Sequence, residues 1–209
     1  MTARIALAMT GGSGVQYALK LLKVLVAEGC HVYLMMSDAA KVVINTETDL
    51  QLPESFEDTA TALSAYAIGS GRIEMLGKTD WFSAPASGSH APDAMVVVPA
   101  SGGTLSAIAI GASNNLIERA ADVMLKERKP LILVPRETPL SKIHLKNMLA
   151  ATDAGAIVMP ASPGFYNNPQ SIEDLVDFMV ARILDHLSLP QSLQPKWGDH
   201  CGAASSSKE

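Results

Sequence analysis

Hydroxyl, glycine and charged residues follow three apolar runs of the chain, and these residue types could hold an anionic small molecule. They are Thr10-Gly11-Gly12-Ser13-Gly14 after Ile5–Met9, Ser101-Gly102-Gly103-Thr104 after Met95–Val98, and Arg136-Glu137 after Leu131–Val134. In open parallel sheets, ligands bind beyond the carboxyl ends of the strands. Glycine turns that open a helix present free backbone N–H groups to an anion. The three clusters therefore predict a small-molecule site with an anionic ligand.

The first glycine cluster does not match the dinucleotide-binding pattern GxGxxG. Tyr17 stands where the third glycine of that pattern would be. The third glycine normally allows close packing of helix against strand, so its loss weakens a dinucleotide interpretation. The motif alone leaves an anion-binding loop and an ordinary tight turn equally open.

Other polar residues have a simple alternative explanation. Arg119 and Lys126 are seven residues apart on a predicted helix and share a face, with Asp122 between them able to pair with either. Spacing alone favours a solvated row of ion pairs over an anion pocket. By the same reasoning, Glu47 reads as a solvated carboxylate. Tyr166 reads as an aromatic anchor of its loop more readily than as a proton donor.

Composition excludes several classes of protein. Of 209 residues, 48% are hydrophobic and 18% are charged, which is typical of a globular chain. A net charge of −5 argues against a general nucleic-acid or membrane surface. The two cysteines, Cys30 and Cys201, have no metal-site spacing and predict a cytoplasmic location. The first residues do not read as a signal peptide, and no apolar run approaches a membrane span.

Apolar runs alternate with helical patterns along the chain, which predicts a Rossmann-like parallel sheet with helices on both faces. Predicted strands are Arg4–Met9, His31–Met36, Ile73–Leu76, Met95–Val98, Leu131–Val134 and Ala156–Met159. The first predicted helix begins near Gly14. The others cover Ala39–Ile44, Phe56–Ala67, Thr104–Ile110, Asn115–Glu127, Ser141–Ala154 and Ser171–Leu187. We expect one α/β domain over residues 1–188 and a tail over 189–209.

Long segments of the chain resemble the UbiX family of flavin prenyltransferases. The most specific are the run Asn115–Pro139 and the Gly164-Phe165-Tyr166 loop, together with TGGSGVQYALKLL near the start. The resemblance covers most of residues 4–188. It implies a flavodoxin-like Rossmann fold that binds FMN between the subunits of a homododecamer.

The resemblance also implies a reaction. The dimethylallyl group of dimethylallyl phosphate would be joined to N5 and then C6 of reduced FMN, with release of phosphate and without a metal ion. The product, prenylated FMN, would serve a UbiD-type decarboxylase, and the family name points to ubiquinone biosynthesis.

Roles for individual residues follow from the same resemblance. FMN would contact Gly11, Gly12, Ser13, Ser37, Ala86, Ser87, Gly88, Ser101, Gly102, Gly103, Thr104, Arg119 and Arg136. The substrate phosphate would be held by Lys126, Arg136, Glu137, Tyr166 and Arg182, with Trp197 closing the site. Catalytic roles would fall to Glu47, Glu137, Lys126 and Ser13, with Glu47 assisting proton transfer around N5 and C6.

The chain departs from the family pattern at three positions. Gly12 replaces a usual alanine, and Ala100 stands where many relatives have cysteine. Arg182 stands where lysine is common, which keeps the charge and changes its geometry. Ala100 is accordingly given no catalytic role.

Two other functions remain open at this stage. An FMN-dependent cysteine-type decarboxylase relies on a histidine near the first helix, where this chain has Val15, Gln16 and Tyr17. A non-catalytic flavin carrier subunit could dispense with the charged residues of the pocket. Here those residues are all present, namely Lys126, Arg136, Glu137, Tyr166 and Arg182.

Overall fold

Six parallel strands form one sheet in the computed structural model, which describes residues 2–194. The strands are β1 (Arg4–Met9), β2 (His31–Met36), β3 (Arg72–Leu76), β4 (Ala94–Ala100), β5 (Leu131–Pro135) and β6 (Ile157–Val158). Their order across the sheet is β3-β2-β1-β4-β5-β6. This is a doubly wound Rossmann order, in which the chain changes direction across the sheet between β1 and β4. The predicted parallel α/β architecture is confirmed.

Seven α-helices connect or follow these strands within the described residues. They are α1 (Val15–Ala27), α2 (Asp38–Glu47), α3 (Phe56–Tyr66), α4 (Gly102–Ala109), α5 (Leu116–Lys126), α6 (Lys142–Asp153) and α7 (Ile172–His186). The prediction ended α2 at Ile44 and placed Glu47 after the helix. In the structure α2 continues to Glu47, which is its last residue. The predicted last strand, Ala156–Met159, is shortened to the two residues of β6. None of the helices in residues 2–194 is long and apolar enough to cross a bilayer.

Helices cover both faces of the sheet because the central strands are apolar on both sides. Ala6 and Ala8 of β1 pack on one face in a cluster that includes six buried residues of α5. Those six are Leu116, Ile117, Ala120, Ala121, Val123 and Met124. Helix α1 contacts β1, β2 and β4 and contributes nothing to that cluster, so it lies on the opposite face. Strands enclosed in this way read as continuous apolar runs, as the sequence does.

Side-chain caps start most helices at defined points. The N-cap side chain accepts a hydrogen bond from the helix's own first turn in α2 to α7. The caps are Ser37, Ser55, Ser101, Asn115, Ser141 and Ser171. Ser37 and Ser101 come directly after β2 and β4, so these caps place the first turns of α2 and α4 at the carboxyl edge of the sheet.

The chain divides into two compact units, Met1–Ser162 and Pro163–Glu209. The first holds the whole sheet and helices α1 to α6. The second, as far as residue 194, holds the loop before α7 and α7 itself, whose start is fixed by a capping box between Ser171 and Asp174. The division of the chain into a domain over 1–188 and a tail remains a prediction.

Stability is expected to fall in mildly acidic solution because of one buried histidine. His31 is 5% exposed, accepts a hydrogen bond from Arg72 at 3.0 Å and contacts Glu74 at 2.9 Å. Burial, and then the charge of Arg72, lower the pKa of His31 from its ordinary value of 6.5. The folded state therefore favours the neutral ring. The contribution of His31 to the free energy of unfolding is complete above pH 6.5 and is lost as the pH falls below that value.

The check is urea unfolding of wild type and His31→Gln between pH 7.5 and 5. The variant should lose less free energy of unfolding over this range than wild type. His90→Gln, at an exposed position, should keep the wild-type slope. Identical slopes for wild type and His31→Gln would contradict the assignment.

Candidate functional site

The glycine loop after β1 lies between α2 and the turn after β4. A Cβ added to Gly11 would stand 2.6 Å from the Cβ of Ala39, so only glycine allows this approach. A Cβ at Gly12 would meet the Cβ of Pro99 at 3.2 Å, so a side chain there would require the loop or Pro99 to move by a few tenths of an ångström. Gly12 avoids this close contact, which the alanine usual in the family pattern would make with the backbone as it stands.

The first turn of α4 is prepared for an anion. Ser101 Oγ accepts the N–H of Thr104 at 3.3 Å, and the two hydroxyl oxygens are 3.0 Å apart. No acidic residue lies in this turn. A Cβ at Gly103 would meet nothing within 4 Å, so open space adjoins the helix start. The N–H groups, the helix dipole and the two hydroxyls together favour a phosphate or carboxylate there.

Arg136 adds a positive charge to the same edge. It follows β5, and its Nε donates to the carbonyl oxygen of Ser13 at 3.4 Å. Its neighbour Glu137 is exposed and accepts a hydrogen bond from the N–H of Thr138 at 3.3 Å. We call Gly11–Ser13, Ser37, Ser101–Thr104 and Arg136 the carboxyl-edge group, which the fold assembles from three strand ends and the start of α2.

Glu47 also reaches this edge, although nothing in its local sequence indicates it. Its Oε2 accepts the backbone N–H of Gly14 at 2.9 Å, and its carbonyl oxygen accepts from Gln16 Nε2 at 3.1 Å. Helix α1 has no side-chain cap and no acid in its own first turn. The Glu47 carboxylate therefore supplies the negative charge at the start of α1, whereas the start of α4 has no acidic residue and is available to a ligand anion.

A second set of predicted residues lies along α5. Arg119 Nε donates to the carbonyl oxygen of Ala86 at 3.2 Å, and its Nη1 pairs with Asp122 at 2.9 Å. Lys126 pairs with Glu127, and its Nζ would lie 2.6 Å from a Cβ built on Gly88. The Lys126 ammonium lowers the pKa of the Glu127 carboxyl, which keeps it ionised. We call Ala86–Gly88, Arg119 and Lys126 the α5 group.

The far end of the α5 group is well separated from the carboxyl-edge group of the same chain. Helix α5 starts beside the carboxyl edge, where the N–H of Leu116 donates to the carbonyl oxygen of Lys78 just past β3. It then runs back for 11 residues, roughly 15 Å, and Lys126 lies shortly before β5 begins. Arg136 and Glu137 follow the opposite end of β5. One chain therefore does not bring Lys126 to Glu137.

The unit that starts at Pro163 contains a cavity of about 520 Å³ that is lined by two of the five predicted phosphate ligands. Tyr166 and Arg182 face it, together with Asn167, Ala181, Ser188, Leu189, Gln191 and Gln194. The Tyr166 ring meets the edge of Phe178 at 5.5 Å, and Arg182 Nη1 pairs with Asp185 Oδ2 at 2.8 Å. The loop thus folds back so that two residues 16 positions apart share one cavity. Trp197 lies outside the described residues.

Two glycine substitutions should distinguish a glycine that packing requires from a glycine that borders open space. Gly11→Ala is expected to lower the melting temperature and displace α2, because its new Cβ would overlap Ala39. Gly103→Ala should leave the melting temperature within about 2 °C of wild type, because its Cβ enters open space. Thermal unfolding of both variants is the measurement. Equal melting temperatures for the two variants would contradict the packing at Gly11.

Comparison with known proteins identifies the family of the chain. The pattern of the family described as Flavoprotein matches residues 1–184. Flavin prenyltransferase UbiX of Pseudomonas aeruginosa is 57% identical over 197 residues, which is 94% of each chain. The chain belongs to the UbiX family. The resemblance seen in its motifs is therefore confirmed.

Solved structures of UbiX-like proteins share the fold closely. The crystal structure of AnUbiX in complex with FMN and dimethylallyl pyrophosphate has a TM-score of 0.84 and 42% identity. It is matched over 94% of this chain and 98% of its own. A dodecameric FMN-dependent UbiX-like decarboxylase from Escherichia coli O157:H7 has a TM-score of 0.79 and 37% identity, over 93% and 98% of the two chains.

Sequence reasoning missed two contacts at the site. Thr10 is 1% exposed and bonds to the turn after β4, and Glu127 neutralises Lys126. The adjacency of Lys126 and Glu127 was visible in the sequence, whereas the contact of Thr10 with Pro99, 89 residues away, was not. Within residues 2–194, no three His, Cys, Asp or Glu side chains lie together as a metal site would require.

Proposed function

We propose that this chain is a flavin prenyltransferase. It joins the dimethylallyl group of dimethylallyl phosphate to N5 and C6 of reduced FMN, and the carbon–oxygen bond to phosphate breaks. The observation that carries the proposal is the near full-length likeness to UbiX proteins, one of them solved with FMN and dimethylallyl pyrophosphate. The charged pocket residues Lys126, Arg136, Glu137 and Arg182 are all present, which favours an enzyme over a carrier subunit.

The carboxyl-edge group fits FMN. A phosphate monoester suits the first turn of α4, where the Ser101 and Thr104 hydroxyls and free N–H groups adjoin open space at Gly103. Arg136 adds a cation beside the glycine loop. Ser37 stands at the neighbouring helix start, where its N–H donates to the carbonyl oxygen of Met9. The site lacks the third glycine of dinucleotide folds, so we expect FMN to bind in preference to NAD.

The charged residues suit the departure of phosphate from an allylic carbon. That step builds negative charge on the leaving oxygen, which the cations Lys126, Arg136 and Arg182 stabilise. Glu137 transfers a proton to the leaving phosphate, and the Tyr166 hydroxyl donates a hydrogen bond to it. Glu47 lies at the start of α1 beside the glycine loop, where it exchanges a proton with the flavin.

A complete site requires more than one copy of the chain. Lys126 and Glu137 lie toward opposite ends of β5, so their joint action on one phosphate needs a second subunit. Helix α6 carries apolar side chains suited to such contacts, since Ile143, Leu145 and Leu149 are 69%, 53% and 62% exposed. We propose a dodecamer with FMN between subunits, as the likeness to a dodecameric relative supports.

We also propose that the protein works in the cytoplasm and passes prenylated FMN to a UbiD-type decarboxylase.

Anaerobic incubation with reduced FMN and dimethylallyl phosphate tests the function. The flavin extracted afterwards should have gained the mass of one dimethylallyl group with loss of one hydrogen, and inorganic phosphate should appear in equal amount. Tight FMN binding without this product would favour the carrier alternative. Calorimetry that finds NAD bound and FMN not bound would overturn the flavin assignment itself.

A further inference from the structure

A single buried hydroxyl joins the two halves of the carboxyl-edge group. Thr10 is 1% exposed. Its Oγ1 donates to the carbonyl oxygen of Pro99 at 2.6 Å and accepts the backbone N–H of Ser101 at 2.8 Å. The hydroxyl therefore links the residue before the glycine loop to the N-cap of α4.

This link lies where the regular ladder between β1 and β4 stops. The last paired residues of the two strands are Ala8 and Val97. Pro99 has no N–H to donate, so the ladder cannot continue through it. The backbone N–H of Thr10 approaches the Pro99 carbonyl at 3.3 Å, and the side chain supplies the two shorter hydrogen bonds. Thr10 thus replaces strand pairing at the switch point of the sheet, where ligands of such folds bind.

The two segments that Thr10 joins, the glycine loop and the turn into α4, are packed closely together. A Cβ at Gly12 would stand 3.2 Å from Pro99 Cβ and 3.8 Å from Ser101 N, so the glycine loop lies directly against the turn into α4. Without the hydroxyl, the partly buried N–H of Ser101 would lose its partner, and the turn would move to find another. The hydroxyl of Ser101 and the first turn of α4 would move with it.

We propose that Thr10 is a positioning residue for the phosphate of FMN. It holds the first turn of α4, the anion cradle formed by Ser101–Thr104, in register with the glycine loop. This inference rests on the proposed function, because it takes the anion in the cradle to be the FMN phosphate. Thr10 is buried beneath the loop and acts through Ser101. Its effect should therefore appear in recognition of the phosphate more than in recognition of the flavin ring.

The test compares FMN with riboflavin, which lacks the phosphate. Fluorescence titration gives the dissociation constants of both flavins for wild type, Thr10→Val and Thr10→Ser. Valine keeps the shape of threonine and removes the hydroxyl, whereas serine keeps the hydroxyl. We expect Thr10→Val to reduce the preference for FMN over riboflavin about tenfold or more. Thr10→Ser should keep the wild-type preference.

Each other outcome has a definite meaning. An unchanged preference in Thr10→Val, or equal weakening of both flavins, would overturn the inference and leave Thr10 as a structural tie. Should Thr10→Val fail to fold, Thr10→Ala is measured in the same way, and failure of both would equally assign the hydroxyl to stability alone. A wild-type protein that binds neither flavin would instead refute the proposed function. If wild type binds both flavins equally, the phosphate of FMN is not recognised at the first turn of α4. That result would overturn the inference and leave the proposed function standing.

Discussion

Two impaired variants, Lys126→Ala and Arg136→Ala, are expected to regain activity when they are assembled into one oligomer. Lys126 belongs to the α5 group and Arg136 to the carboxyl-edge group, toward opposite ends of β5. If one site takes Lys126 from one subunit and Arg136 from another, a mixed oligomer contains sites in which both residues are intact. With equal and random mixing, about a quarter of the sites are complete, because each contributor is wild type at its position half of the time.

Each variant alone should lose at least tenfold in rate, since a hydrogen bond to a charged group contributes about 1.5–3 kcal/mol. The two variants are co-expressed with different tags and purified through both, and prenylated FMN formed under anaerobic conditions is measured. The matched control pairs Lys126→Ala with Arg119→Ala. Both residues belong to the same α5 group, so every site in that mixture lacks one of them and no activity should return. Failure of the first pair to recover would contradict a site shared between subunits.

Loss of Tyr166 or Arg182 is expected to weaken use of dimethylallyl phosphate about tenfold or more while FMN stays bound. The two side chains line one cavity, Tyr166 from the loop and Arg182 from α7. Each is proposed to contact the same phosphate, and a hydrogen bond to a charged group has this magnitude. Because the groups share one ligand, the effects of Tyr166→Phe and Arg182→Ala should not add in the double variant.

Apparent KM for dimethylallyl phosphate and Kd for FMN, measured for both single variants and the double variant, give the answer. Arg182→Lys should be milder than Arg182→Ala, because it keeps the positive charge. Asp185→Asn is the control for the ion pair at 2.8 Å, since it removes the negative charge beside Arg182 and keeps the guanidinium. If Tyr166 only packs its loop against Phe178, Tyr166→Phe will have no effect, and the pocket assignment is then wrong.

Much of the fold followed from local patterns. Apolar runs such as Arg4–Met9 and Leu131–Val134 marked buried strands, because strands covered on both faces are apolar throughout. The predicted helices near Ala39 and Ser171 have Ser37 and Ser171 as their N-caps in the structure, where each hydroxyl accepts a hydrogen bond from the first turn. The boundaries were predicted less well: α2 continues to Glu47, three residues past the predicted end at Ile44.

The sequence by itself determined the family, the alternation of strands and helices, and the convergence of Ser13, Ser101 and Arg136. That convergence follows from topology alone, because the carboxyl ends of parallel strands meet at one edge of a sheet. Only the tertiary structure decided which side chains meet across elements. Examples are Glu47 with Gly14, 33 residues apart, and Thr10 with Ser101, 91 residues apart. It also placed Lys126 far from Glu137, because an antiparallel return helix carries its last turn away from the edge where it began. Periodicity reports which face of an element is buried, whereas strand order and packing decide what that face meets.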